Sequence, residues 1–188
     1  RLGHLHAYET YGVVPDLVTL AKPLAAGLPL GAVLIGERVA GLLEPGLHGS
    51  TFSGGPAACA VGVRVFDAIA EPAFLARVRA RGERLRAGLD ALAGGSPLFR
   101  AARGRGLMQA LVVARPRRHP PADLAKAARE RGLLVTRAGA DAVRFLPPLN
   151  VSEAEIDEAL AILGGIAQEI APRRRSRKAQ PVAAGEIA

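Results

Sequence analysis

Asp16-Leu17-Val18-Thr19-Leu20-Ala21-Lys22-Pro23, followed after a short connection by Gly31-Ala32-Val33-Leu34-Ile35-Gly36, is the stretch whose reading decides the fold. Each is a brief apolar run containing β-branched residues and bordered by Gly or Pro, the pattern of a buried strand. Between them, Ala25-Ala26-Gly27-Leu28-Pro29-Leu30 carries two backbone punctuators and reads as a loop. Lys22 therefore closes a strand and faces a flexible connection, and strand ends are where α/β proteins place their ligands.

Outward from this point the chain alternates helix and strand. Pro56 to Ala70 is interrupted only by Arg64 and Asp67 and reads as a buried helix, entered from the loop His48-Gly49-Ser50-Thr51-Phe52-Ser53-Gly54-Gly55. Pro72 to Ala93 has Phe74, Leu75, Val78, Leu85, Leu89 and Leu92 at helical spacing with arginines opposite. This long amphipathic helix is expected to stop at Gly94-Gly95 and to link two lobes. Beyond it the spacing predicts a compact α/β module. Its parts are an apolar run Leu107 to Val113, a helix from Ala122 to Arg131 closed by Gly132, strands at Leu133 to Thr136 and Val143 to Leu146, and a final helix. Ser152 with Glu155 three residues later forms a capping box for that helix, whose apolar face is Ile156, Leu160, Leu163 and Ile170. There is no internal repeat.

Composition narrows the classes. With 188 residues, 49% of them hydrophobic, the chain can bury a core, which excludes a disordered or fibrous protein. No apolar run reaches the roughly 18 to 20 residues of a membrane span. A single cysteine, Cys59, forms no internal disulfide, and no secretory leader opens the sequence, so a cytoplasmic protein is expected. The sequence starts at Arg1 and its only methionine is Met108, so it is expected to be a piece of a longer chain. Of the net charge of +8, half resides in residues 172–188, where Arg173, Arg174, Arg175, Arg177 and Lys178 face only Glu186. These residues are expected to form a disordered basic tail. The body lacks a basic stripe interleaved with aromatics, which argues against nucleic acid as a partner.

Only Lys22, Lys126 and Lys178 among the 25 basic residues are lysines. Arginine stays protonated, whereas a lysine can be deprotonated and act as a nucleophile. Lys178 lies in the tail and Lys126 on a helix face, which leaves Lys22 as candidate catalytic amine or as a solvated strand-end charge. The loop from Gly49 to Gly55, with the hydroxyls of Ser50 and Thr51 before a helix start, is a candidate phosphate cradle. It lacks the lysine and spacing of a nucleotide P-loop, and Gly104-Arg105-Gly106 does not complete a dinucleotide fingerprint. Arg144 interrupts an apolar strand before a rigid Pro147-Pro148 turn, either as a satisfied edge charge or as a fork for a carboxylate. Cys59 reads as a small core residue. His4 and His6 have no third ligand at useful spacing, so no metal site is expected.

Taken together, Tyr11-Gly12-Val13-Val14-Pro15-Asp16-Leu17-Val18-Thr19-Leu20-Ala21-Lys22, Gly27-Leu28-Pro29-Leu30-Gly31-Ala32, Gly49-Ser50-Thr51-Phe52, Gly104-Arg105-Gly106-Leu107-Met108 and Val143-Arg144-Phe145-Leu146-Pro147-Pro148-Leu149 resemble the class III aminotransferases, and within them the acetylornithine aminotransferase group. The resemblance runs from Arg1 to about Ile170. It implies an α/β protein of the fold type I class, dependent on pyridoxal 5′-phosphate. Residues 1–71 would be the C-terminal part of the large cofactor domain, 72–93 a linking helix, 94–171 a small C-terminal α/β domain and 172–188 the basic tail.

The resemblance also implies roles. Lys22 matches the lysine that holds the cofactor as a Schiff base and moves protons. Thr51, beside Ser50, matches the residue that reaches across a homodimer to the partner subunit's cofactor phosphate, and Arg144 matches the arginine that holds the substrate α-carboxylate. The reaction implied is amino transfer from N-acetylornithine to 2-oxoglutarate, in arginine synthesis. Other class III ω-amine transaminases, acting on ornithine or 4-aminobutyrate, share these motifs. Ser53 and Gly55 stand where the family often has glycine and asparagine. The family's aspartate for the pyridine nitrogen, its Gly-rich phosphate loop and its ring-stacking aromatic have no match here, so an inactive fragment is the alternative expectation.

Overall fold

The computed structural model describes residues 1–170. The expected basic tail lies outside the described residues. In chain order, a 3-10 turn at Ala7–Tyr11 leads to β1 (Leu17–Leu20), a second 3-10 turn (Lys22–Ala25), β2 (Ala32–Ile35), the short α1 (Glu37–Ala40), α2 (Pro56–Ala70) and α3 (Pro72–Gly95). There follow β3 (Phe99–Arg105), β4 (Met108–Val113), α4 (Pro121–Glu130), β5 (Thr136–Ala138), β6 (Ala142–Phe145) and α5 (Glu153–Ile170).

Local chemistry sets these boundaries. Proline opens α2, α3 and α4, where its missing N–H is one the helix leaves unpaired anyway. At the start of α5 the Ser152 hydroxyl accepts the Glu155 N–H at 3.2 Å, while the Glu155 carboxylate accepts the Ser152 N–H at 2.7 Å, which is the capping box read in the sequence. Two boundaries differ from expectation by more than one residue. α3 runs on through Gly94 and Gly95 to a cap at Ser96. β5 begins only at Thr136, because Leu133 and Val135 tuck partly against the core while Leu134 is 81% exposed.

Four strands form an antiparallel sheet in the order β3-β4-β6-β5. β4 sits between β3 and β6, and Gln109 through Val113 on it are all buried. Leu111, Val113, Val143 and Phe145 share one core with Val78, Leu85 and Leu89 of α3, Leu124 of α4, and Ile156 and Leu163 of α5. Ala110, Val112 and Ala142 make a thin second cluster, with Ala138 beside it. The helix expected as a link is thus a wall of this core. Two glycines let it come close: a Cβ at Gly82 would stand 2.7 Å from the Gly106 Cα, and one at Gly88 would stand 2.1 Å from the Leu160 side chain. Arg84 locks α3 to α5 through two bonds to Asp157, at 2.8 and 2.6 Å, beside an Arg81–Glu153 pair.

Residues 1–70 pack differently. β1 and β2 form a two-stranded antiparallel sheet, Leu17 opposite Ile35 through Leu20 opposite Ala32. The sequence reading of buried strands and a buried helix is corrected here. Leu17, Val33, Leu34 and Ile35 are exposed, and on α2, where Val61, Val63 and Phe66 are exposed, only Gly62 is buried. Two strands and one helix can cover one face of each other, and the remaining apolar faces meet nothing among the described residues. Among the described residues and except for Ala25, every buried apolar residue lies between Val78 and Ala167, whereas most of the exposed large apolar side chains fall between Tyr11 and Phe66. The N-terminal end is tied to the C-terminal part by three bonds: Leu107 N–H, in the β3–β4 turn, donates to the Arg1 carbonyl at 2.8 Å, the Arg79 guanidinium on α3 donates to the Gly3 carbonyl, and the Arg1 guanidinium donates to the Pro147 carbonyl.

Candidate functional site

Lys22 opens the 3-10 turn directly after β1 and holds φ at 57°, left-handed backbone that an L-residue adopts at a cost of about 1–2 kcal/mol. The turn that demands this angle is braced on both sides. Ala26, also left-handed, donates its N–H to the Pro23 carbonyl at 3.1 Å, and Ala25 is fully buried. From the other side, α2 approaches at Gly62, where a Cβ would stand 2.6 Å from the Leu30 side chain and 3.6 Å from the Leu24 carbonyl. The Lys22 side chain is exposed and has no hydrogen-bond or ion-pair partner among the described residues, whereas Lys126 lies 3.9 Å from Glu130. Beside the turn, Leu20, Ala21, Pro23, Leu24, Phe66 and Ile69 line an apolar hollow of about 120 Å³.

Ser50 and Thr51 lie in the exposed loop between α1 and α2. Among the described residues the loop's internal bonding is slight: Ser53 N–H donates to the Ser50 carbonyl at 3.4 Å, and neither hydroxyl has a partner. The α2 N-terminus that follows has Gly55 at its cap and no side-chain cap, so no protein oxygen satisfies its first donors in that way. Cys59, expected in the core, is half-buried on α2.

Arg144 lies on β6, opposite Thr136 of the edge strand β5 on one side and Ala110 of β4 on the other. It is half-buried, and its Nε donates to Thr136 Oγ1 at 3.2 Å. Arg38, Arg84, Arg86 and Arg131 each reach a carboxylate, on Asp16, Asp157, Asp90 and Glu169 respectively. Among the described residues Arg144 reaches none.

No hydrogen bond or ion pair joins Lys22, Ser50, Thr51 and Arg144 to one another; they occupy a strand end, a loop and the four-stranded sheet. Together they offer a primary amine, two hydroxyls at a helix start and a guanidinium with uncommitted terminal nitrogens. That set can engage an aldehyde, a phosphate and a carboxylate. A larger groove of about 790 Å³, between the N-terminal segment, α3 and the β3–β4 turn, holds none of the predicted site residues. In that groove His4 faces Glu9 at 3.7 Å and Arg86 bonds Asp90 at 2.7 Å. Thr136 was not singled out by sequence reasoning, because its contact with Arg144 arises from cross-strand register rather than from any spacing along the chain.

Comparison with known proteins gives concordant findings. The family model described as aminotransferase class-III matches residues 1–166. The acetylornithine aminotransferase of Gloeobacter violaceus is 47% identical over 167 residues, covering 88% of this chain and 41% of that protein. The crystal structure of acetylornithine aminotransferase from Elizabethkingia anophelis superposes with a TM-score of 0.83 at 31% identity, over 90% of this chain and 45% of that one. An ornithine aminotransferase structure from Toxoplasma gondii, described as having partial occupancy of PLP at its active site, gives a TM-score of 0.82 at 31% identity, over 90% of this chain and 40% of that one. The chain thus spans less than half the length of these relatives.

Proposed function

Because this chain belongs to the class III aminotransferase family, we propose that it carries the reactive lysine of a pyridoxal 5′-phosphate enzyme that moves an amino group from N-acetylornithine to 2-oxoglutarate. Enzymes of this family depend on that cofactor. The observation that carries the reading is Lys22, an exposed amine without a partner among the described residues, held on left-handed backbone at the end of β1. Strained backbone persists where the surrounding structure over-determines it, and it clusters at functional sites. The donors present suit the cofactor: an amine for its aldehyde, and the hydroxyls of Ser50 and Thr51 ahead of α2 for its phosphate.

When bound, pyridoxal phosphate supplies an aldehyde that captures amines and a ring that withdraws electrons. Lys22 Nζ is the nucleophile that retains it and, once released, takes the proton from the amine-bearing carbon of the donor. Thr51 and Ser50 donate their hydroxyls to the phosphate, Thr51 doing so across a homodimer to the site of the partner subunit. Arg144 grips the α-carboxylate of 2-oxoglutarate, which lies beside the carbon that receives the amino group, and so orients the acceptor for transfer. In this reading residues 1–71 belong to the large domain, 72–93 to a linking helix and 94–171 to the small domain. A cytoplasmic setting and a role in arginine synthesis are part of the same proposal.

The test is glutamate formation from N-acetylornithine and 2-oxoglutarate with added pyridoxal phosphate. Lys22→Ala is expected to lower turnover by roughly 10²–10⁴-fold or more, the range lost with a proton-transferring group. Turnover that survives this change would overturn the assignment. The match to an ornithine aminotransferase favours ornithine as a second donor, and the ratio of kcat/KM for the two donors decides between them.

A further inference from the structure

We infer that Thr136 is a positioning residue for substrate carboxylate. By accepting the Arg144 Nε–H it withholds that edge of the guanidinium and leaves the two terminal nitrogens as the pair that a carboxylate meets. This rests on the reading of Arg144 given above and adds to it the direction from which the carboxylate is bound.

Four observations converge. Thr136 and Arg144 are direct cross-strand partners in the β5–β6 register, so their side chains project from the same face of the sheet. The Arg144 Nε donates to Thr136 Oγ1 at 3.2 Å. The other neighbours of Arg144 on that face are apolar: Ala110 opposite it on β4, Met108 and Val112 one step along β4, and Ala142 and Ala138 one step along β6 and β5. None of these side chains offers the guanidinium a hydrogen bond, so among the described residues the threonine hydroxyl is the one polar contact that fixes its plane. Finally, no carboxylate of the described residues pairs with Arg144, and its terminal nitrogens are not among the buried unpartnered atoms, of which Gln109 Oε1 is the only one.

A carboxylate can meet a guanidinium side-on, through Nε and one terminal nitrogen, or end-on, through both terminal nitrogens. With Nε committed to Thr136 the first arrangement loses a donor and the second keeps both. The fork is thereby pre-oriented before the ligand arrives, and less rotamer entropy is lost on binding.

The test follows the Arg144 Nε–H resonance of the 188-residue chain by nuclear magnetic resonance during titration with 2-oxoglutarate. A saturable shift of the Arg144 Nε–H is expected, together with shifts of the backbone amides of Thr136 and Phe145, which are expected to vanish in Arg144→Lys. Absence of the Nε–H shift would overturn the carboxylate role of Arg144 and this inference with it. Thr136→Val keeps the β-branched shape favoured on an edge strand but removes the acceptor, and it is expected to shift the free Nε–H resonance and weaken the titration about three- to tenfold, the net worth of an ordinary hydrogen bond. Thr136→Ser, which restores the hydroxyl, is expected to titrate within about twofold of the parent. If Thr136→Val titrates like the parent while Arg144→Lys does not, the role of Arg144 stands and that of Thr136 falls.

Discussion

Lys22 keeps φ at 57° although glycine would hold that angle without cost, and its exposed side chain makes no hydrogen bond or ion pair among the described residues that offsets the difference. Lys22→Gly is therefore expected to raise stability by about 1 kcal/mol while removing the amine, and Lys22→Ala to leave the strain in place. Denaturant unfolding of the two variants checks this, and equal stability of both would remove strain from the account. Gly82 is the opposite case. Its Cβ position lies 2.7 Å from the Gly106 Cα and 2.8 Å from its carbonyl carbon, backbone atoms that cannot swing aside. Gly82→Ala is expected to cost about 1–3 kcal/mol, as overpacking does, and the same unfolding curves measure it.

At the scale of elements, the clamp between α3 and α5 titrates. The hydrogen bond from Arg84, and then its charge, holds the Asp157 carboxyl below the usual carboxylate range. The Ser152 N–H, and then its hydroxyl, does the same for Glu155. A carboxyl lowered in the folded state adds stability that is fully present above its unfolded value, about 4, and that disappears as pH falls through the folded value. Asp157→Asn is thus expected to lower the melting temperature at pH 7 and to converge with the parent near pH 2, and a gap independent of pH would contradict the clamp. These elements were largely legible in the sequence because their signals are local: Pro56, Pro72, the Ser152–Glu155 box and the Pro147-Pro148 stop all act within a few residues. What was not legible depends on distant partners. The apolar faces of β1, β2 and α2 read as buried, since apolarity records that a face wants cover and not what supplies it. Leu133 to Val135 read as strand because a loop tucked under a core alternates as a strand does. Lys22 and Arg144 could be picked out as a surviving lysine and an interrupting charge, whereas Thr136 acquires its meaning only from the β5–β6 register.

Across the whole molecule the two halves differ in how they are held. Residues 72–170 enclose a core closed on one face by α3, α4 and α5, and residues 11–66 carry most of the exposed large apolar side chains. Contiguous apolar surface of that kind is characteristic of interaction faces, and the chain spans less than half the length of its relatives. Amide hydrogen exchange is accordingly expected to be slow in β4, β6 and α3 and fast in β1, β2 and α2, and uniform protection along the chain would contradict this division. The central claim is that Lys22 is the amine that binds the cofactor, and it is tested most directly by mixing the chain with pyridoxal 5′-phosphate, reducing with borohydride and mapping the modified peptide by mass spectrometry. Stoichiometric label on Lys22 alone is the predicted result. Label on Lys126 or Lys178 in its place, or no label at all, would contradict it.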